Sequence, residues 1–475
     1  MSVQILLEGR LEGLDSFPAA APGDRDNRAF ESRLLWLTLL GEVMPRALLA
    51  HLGLPPLMLG SSGSGRFLVI LPDSARAEHA GEFLARMQQA LGQFTAGGIE
   101  IIWSATENLG DWTVVRKRLE DQIERKKRSR AAEPGFFDAY TPPPASDRIP
   151  RDLRDAVNVW FGFDLPSLIA SEGGEYKWDL GRQAGTSNIP LARHAARSGD
   201  TTAGVKDLAR RAHGRRLWGV LRGQIDDYAT RLRRVQSVEE HVQLSILYKQ
   251  FLSGEVELLC SQPEFFQRVT VLDVGNSSFA LTGSWDALVA FARELQRVFA
   301  RFAEENLKDL AGGEAKTVTM ALAIAEQGDA LARVWEDCAR NLEAARAADK
   351  DCFHMLGRVL EWKQLSDAAE LRYTVSQLSE EFRGGRQFLD QLRALYRKVE
   401  TSEASDNDRL MARALRFQRR YERAGSKRER EFQKLRAHLM KELAGRALHT
   451  KKQRGKLRLR PEGLIALEWA RLSED

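Results

Sequence analysis

Leu217-Trp218-Gly219-Val220-Leu221-Arg222-Gly223-Gln224-Ile225-Asp226-Asp227 opens the stretch that decides the fold. It reads as an apolar strand ending in a turn that carries two carboxylates. Residues 235–259 follow with helical character. A second apolar strand comes next, Arg268-Val269-Thr270-Val271-Leu272-Asp273-Val274. The tip Gly275-Asn276-Ser277-Ser278 then turns the chain back into Phe279-Ala280-Leu281-Thr282-Gly283. Asn followed by small residues between two β-rich runs is hairpin chemistry, because Asn tolerates positive φ. Strand, helix, strand and tight hairpin, in that order, predict the front half of a ferredoxin-like sheet.

Polymerases and nucleotide cyclases use such a sheet as a palm. In a working palm the hairpin tip and the end of the first strand hold metal carboxylates. Two divalent ions there polarise the phosphate and lower the pKa of the attacking hydroxyl. Magnesium requires hard anionic oxygens in near-octahedral geometry. This tip offers Ser277 and Ser278, neutral hydroxyls that do not replace two carboxylates. The residues therefore predict a palm that keeps its fold and has lost its chemistry.

At 475 residues the chain is long enough for about three domains. Three widely spaced cysteines, Cys260, Cys338 and Cys352, form no CxxC pair. That excludes a zinc ribbon or a disulfide framework and predicts reduced thiols in a cytoplasmic setting. The short apolar run before Glu8 does not read as a signal peptide. No uncharged apolar segment approaches the ~20 residues of a membrane span. Net charge is +5, but residues 408–460 hold 19 Lys/Arg against 5 Asp/Glu, a local +14 that leaves −9 elsewhere. A mildly acidic body with a basic end predicts a polyanion partner.

In chain order, residues 3–7 read as a strand and 18–26 as a loop. Residues 29–52 form a helix with Phe30, Leu34, Leu37, Leu40 and Val43 on one face. Pro55-Pro56 breaks it, and two strands then flank the tip Gly63-Ser64-Gly65. That tip lacks the Lys-Ser/Thr of a phosphate loop and returns into a strand, so a hairpin turn is favoured over phosphate binding. A helix (75–94), a strand (99–104) and a helix (112–127) follow. The same plan recurs from Arg216, which predicts an internal structural repeat. Between the repeats, the residues 125–130 are basic, Pro142-Pro143-Pro144 is a stiff linker, 152–170 is weakly helical and 173–200 is mostly loop. After the second hairpin come a helix (285–306), a strand (317–324), a helix (329–347) and a last strand (352–360). From Ser366 nothing reads as sheet. Segments 367–382, 387–400, 408–423, 427–447 and 461–472 predict a helical bundle.

The fold class expected is α+β. It comprises a first palm (1–126), a linker domain (127–212), a second palm (213–365) and a C-terminal helical bundle (366–475).

The residues resemble the large, palm-containing subunit of type III CRISPR effector complexes, the Csm/Cmr family, over nearly the whole chain. Residues 61–72 are similar to that family's first-palm hairpin. Pro190-Leu191-Ala192-Arg193 with Leu217-Trp218-Gly219-Val220-Leu221-Arg222 is similar to its approach to the second palm. The run from Gly275 through Gly283-Ser284-Trp285-Asp286 resembles its GGDD…G-W-D stretch. Residues 353–362 resemble the strand closing that palm, and Ala466-Leu467-Glu468-Trp469-Ala470 its final helix.

The departures are as informative. The family's strand-end acid falls on Gln224 in Gln224-Ile225-Asp226-Asp227, and its GGDD falls on Gly275-Asn276-Ser277-Ser278. Asn276 puts a side chain where a glycine lets backbone approach a nucleotide. No His-Asp dipeptide is present, so the family's HD nuclease is expected to be missing, as is its zinc element. Asp226 and Asp227 have two readings: a weak single Mg²⁺ site, or solvated turn residues capping the next helix, the latter favoured. The C-terminal basic run also has two. It is a solvated face or an RNA backbone contact, with Arg419, Arg420, Arg423, Lys427 and Arg428 as the candidate group.

The resemblance implies a non-catalytic large subunit, with no metal and no cofactor. Its partners would be guide crRNA, target RNA, the subunit capping the guide 5′ end, and the backbone and small subunits. No membrane partner is implied. The alternative is a residual or regulatory ATP-binding palm, a remnant of cyclic oligoadenylate synthesis using Asp226 and Asp227.

Overall fold

The computed structural model describes residues 3–19, 27–131, 149–163, 168–181, 188–310, 312–382, 385–401, 430–435, 439, 444–446 and 457–474. The chain divides into two compact units. One is Met1–Ala212 with Leu217–Arg340; the other is His213–Arg216 with Asn341–Asp475.

The first unit begins with β1 (Ile5–Glu12), α1 (Arg28–His51), β2 (Leu59–Gly63), β3 (Arg66–Leu71), α2 (Ser74–Thr95), β4 (Glu100–Glu107) and α3 (Trp112–Ala131). The four strands pair antiparallel in the order β2-β3-β1-β4. Asp73 caps α2 by accepting from the Arg76 N–H at 2.8 Å, which fixes where the helix starts. Trp36 of α1 stacks on Phe94 of α2 with ring centroids 5.2 Å apart, so both helices share one core.

Between the repeats lie β5 (Asn158–Phe161), β6 (Ile169–Ala170), β7 (Tyr176–Asp179) and the short helix α4 (Val205–Arg210). The strands pair antiparallel as β6-β5-β7. This corrects the weakly helical reading of 152–170 and the loop reading of 173–200. Val159 and Phe161 alternate with Asn158 and Trp160, and both apolar side chains are fully buried. The two buried side chains fall on one face of β5.

The plan then repeats with β8 (Trp218–Ile225), α5 (Tyr228–Arg234), α6 (Val238–Cys260), β9 (Val269–Val274), β10 (Ser278–Ser284), α7 (Trp285–Asn306), β11 (Val318–Ala325) and α8 (Leu331–Ala348). Antiparallel pairing gives the order β9-β10-β8-β11, the order of the first sheet. Ser237 caps α6 by accepting from the Glu240 N–H at 3.1 Å. Trp285, Leu288, Phe291, Leu295 and Phe299 form the buried stripe of α7, at helical spacing. Phe251 of α6 packs on Phe302 of α7 at 4.3 Å between centroids.

The repeat holds at single rungs. Gly9 faces Phe67 between β1 and β3, and Gly223 faces Phe279 between β8 and β10. In both sheets the phenylalanine ring lies across the glycine and leaves no room for a Cβ. The Leu11 N–H donates to the Gly65 carbonyl and the Ile225 N–H to the Ser277 carbonyl, both at 2.7 Å. By this register Gly63-Ser64-Gly65 stands in the first sheet where Gly275-Asn276-Ser277 stands in the second.

In the second unit, β12 (Cys352–Met355) and β13 (Arg358–Glu361) form a hairpin rather than the single strand read over 352–360. Leu356 and Gly357 carry φ of 50° and 76°, the two positive values of a two-residue hairpin turn. Helix α9 (Trp362–Glu381) starts from a reciprocal capping box between Glu361 and Gln364. It packs with α10 (Gly385–Thr401) and the last helix. Two short strands, β14 (Ala444–Arg446) and β15 (Leu457–Leu459), pair antiparallel in the region read as purely helical. Gly445 lowers helix propensity at that point, and Leu457-Arg458-Leu459 alternates with period two. The last helix, α11 (Pro461–Ser473), offers its Leu467 carbonyl to Arg393 of α10 at 3.0 Å. Arg372 of α9 lies 4.7 Å over the Trp469 ring. Among the described residues no helix is long and apolar enough to cross a membrane. All three cysteines are buried thiols.

Candidate functional site

The end of β8 sets the first part of the site. The Asp226 side chain is 3% exposed. Its carboxylate accepts from Thr317 Oγ1 at 2.9 Å and from Thr319 Oγ1 at 2.8 Å. The Asp226 N–H donates to the Thr317 carbonyl at 3.0 Å, and its own carbonyl accepts from the Ala315 N–H at 2.8 Å. Thr319 lies on β11 and Thr317 just before it, so these bonds run to the side of β8 opposite the hairpin. Asp226 is therefore a buried, hydrogen-bonded carboxylate and not the solvated turn residue expected. Asp227 sits at the N-cap position of α5 with φ of 54°, and its side chain makes no capping hydrogen bond. The capping reading fails there because the left-handed backbone does not present the side chain as an extended N-cap residue would.

The hairpin tip is the second part. Asn276 N–H donates to the Ser64 hydroxyl at 3.2 Å, so the two tips of the first unit meet. Ser277 supplies its carbonyl to Ile225, and the Ser278 carbonyl accepts from the Gly275 N–H at 2.8 Å. Gln224 pairs in register with Ser278. The structure thus gathers Gln224, Gly275, Asn276, Ser277 and Ser278 at one end of the sheet, while it turns the Asp226 carboxylate to β11. A two-metal site needs anionic oxygens directed at the tip. The tip carries none, and hydroxyls engage both oxygens of Asp226. The residues present do not fit a two-metal site. Among the described residues, no group of three or more His, Cys, Asp or Glu side chains could hold a metal ion.

A buried ionic centre lies between the two sheets, and sequence reasoning missed it. Lys249 of α6 donates to Glu42 Oε1 at 2.7 Å and Oε2 at 2.6 Å. It also donates to the Ser62 carbonyl at 2.9 Å and hydroxyl at 3.0 Å. Arg46, one turn on from Glu42, adds a contact of 2.9 Å to Oε2. Burial by itself would raise the Glu42 carboxyl. Lys249, Arg46 and the Ser62 hydroxyl overcome this and hold it down at about 2. On the other flank, Thr38 of α1 donates to Asp273 of β9 at 2.8 Å. Burial pushes the Asp273 carboxyl up, against the opposing pull of Thr38 and Arg222. A cavity of about 560 Å³ opens beside the ionic centre, lined by Arg46, Leu59, Ser61, Pro190, Ile246 and Lys249 among others. The sequence signal was available: Glu42 and Arg46 are charges inside the apolar run of α1.

The candidate RNA-contacting residues Arg419, Arg420, Arg423, Lys427 and Arg428 lie outside the described residues.

A Csm1–Csm4 cassette in complex with cA3 matches over 100% of this chain and 70% of its own, at TM-score 0.74 and 15% identity. A cassette in complex with AMPPNP matches over 86% and 64%, at TM-score 0.70 and 16% identity. The fold is that of the Csm1 large subunit. A Csm1–Csm4 subcomplex of the type III-A CRISPR-Csm interference complex also matches, over 78% of this chain and 58% of its own, at TM-score 0.65 and 16% identity. The chain thus spans about 64% and 58% of two of these Csm1-fold chains. No family model matches the sequence, and no curated protein matches it significantly.

Proposed function

We propose that this chain is a non-catalytic large subunit of a type III-like CRISPR effector complex. In this reading it binds a Csm4-type subunit at the guide 5′ end and follows the guide–target RNA duplex. The two repeated sheets are its palms, and the helices of the second unit lie against the duplex. Target cleavage and signalling belong to other subunits. The reading is carried by one conjunction: a Csm1 fold over the full chain with Asn276-Ser277-Ser278 at the hairpin tip and Asp226 bonded to Thr317 and Thr319. Csm1–Csm4 cassettes solved in complex with AMPPNP and with one ATP favour a rival reading, a palm that still takes ATP.

The test uses the complex that co-purifies with the chain, supplied with target RNA, ATP and Mg²⁺ or Mn²⁺. No cyclic oligonucleotide above the no-protein control is expected. The complex should contain RNA and a Csm4-type subunit. Product that disappears in the Asp226→Asn variant refutes the reading and establishes the rival.

A further inference from the structure

We propose that the two hairpin tips form an isologous interlock, so that Gly63-Ser64 and Gly275-Asn276 fasten the two repeats to each other. By the rung register, Gly63 corresponds to Gly275 and Ser64 to Asn276. The contacts follow that correspondence reciprocally. Gly63 gives its bare Cα face to the Asn276 side chain, and a Cβ added there would lie 2.9 Å from Asn276 Cγ. Gly275 gives its face to the Ser64 side chain, and a Cβ there would lie 3.1 Å from Ser64 Cβ. Residue i touching j while the equivalent of j touches the equivalent of i is the signature of a twofold contact.

Two local features fit this role. Ser64 is not glycine, yet it holds a left-handed φ of 50° between two glycines. Its hydroxyl accepts the Asn276 N–H at 3.2 Å, which gives the strained position a partner. Asn276 Oδ1 is buried without a hydrogen-bond partner among the described residues. The Cα–H of Gly63 faces it, a weak contact of the kind closely packed backbones make.

The strands behind the tips are pinned in the same reciprocal way. Lys249 of α6, in the second repeat, bonds the Ser62 carbonyl beside the first tip. Thr38 of α1, in the first repeat, bonds Asp273 beside the second. Each hairpin is therefore held by a helix of the opposite repeat. The glycine-to-side-chain contacts leave no space between the tips for a nucleotide. Restoring acids alone, by Ser277→Asp with Ser278→Asp, will not restore a metal site. That last statement rests on the non-catalytic reading; the interlock itself does not.

The experiment puts a side chain where the contact leaves no room for one, in the full chain. Gly275→Ala places a Cβ 3.1 Å from Ser64 Cβ. Followed by hydrogen exchange, it should make the amides of residues 59–71, remote in sequence, exchange several-fold faster. A second variant, Ser64→Ala, removes the hydroxyl that accepts the Asn276 N–H. It should speed exchange of residues 269–284 several-fold. Unchanged exchange at the opposite hairpin, in proteins with the wild-type circular dichroism spectrum, overturns the interlock. The cyclic-product assay is run separately. Faster exchange in the variants together with product formation by the wild type removes the non-catalytic reading and leaves the interlock standing. Unchanged exchange and no product does the reverse.

Discussion

Lys249 closes its ammonium on both oxygens of the Glu42 carboxylate, at 2.7 and 2.6 Å, in a site where the side chains are 15% and 4% exposed. Glu42 belongs to the first repeat and Lys249 to the second. The pair is sheltered from solvent screening, so its two charges depend on each other.

Removing one partner should therefore be severe. Lys249→Met is expected to destabilise the chain by about 3 kcal/mol, the low end for a broken buried pair, because Glu42 keeps only Arg46 and the Ser62 hydroxyl as partners. The double variant Glu42→Leu with Lys249→Met should recover most of that loss. Urea titrations of the single and double variants read the difference directly. Equal loss in both would show that packing, not charge, dominates the site.

Acid should act in two stages. His241 is half-buried, its ring 5.2 Å from that of Trp112. Burial, with Arg116 adding to it, lowers its pKa to about 4 from an ordinary 6.5. The unfolded chain then binds the proton first, so stability falls as pH drops from 6.5 toward 4. Glu42 has its pKa lowered to about 2 from 4.5, so its contribution is present above 4.5 and is lost as pH falls further toward 2. His241→Gln should flatten the first stage alone, by at most about 3 kcal/mol at ~1.4 kcal/mol per pKa unit. Glu42→Gln should flatten the second. Melting temperatures between pH 3 and 8 check both assignments.

Asp226→Ala should lower stability by about 1–3 kcal/mol, since it strips the acceptor from two hydroxyls, one on the fully buried Thr319. Asp226→Asn keeps an acceptor and should lose less. If both variants match wild type in chemical denaturation, the carboxylate has no structural role.

The basic C-terminal run gives a salt test. Arg419→Glu, Arg420→Glu and Arg423→Glu together should weaken RNA binding equally for different sequences, because phosphate contacts position without specifying. Each lost contact should reduce the log–log salt slope by roughly 0.7 to 0.9. A folded triple variant with unchanged affinity and slope would leave these arginines as a solvated face.

The strands and hairpins of both repeats were legible because alternation and turn residues are local signals. Gly275-Asn276-Ser277-Ser278 announced its turn, and the plan around Gly63 announced the repeat. Asp226 was misread because its partners, Thr317 and Thr319, lie far along the chain and look like ordinary strand residues. Glu42 and Lys249 were invisible as a pair for the same reason: only the packing of α1 and α6 on β2 brings them together. The strand Asn158–Phe161 was missed because four residues are too few for periodicity to outweigh their surroundings.

The rung shared by Gly9–Phe67 and Gly223–Phe279 has a consequence for descent. Two halves with little common sequence still agree on where a ring must cover a bare backbone. The chain thus carries its own ruler. Any insertion can be assigned to one half or the other by counting from these two marks, and a hairpin moved from one half to the other can be kept in phase by the same count.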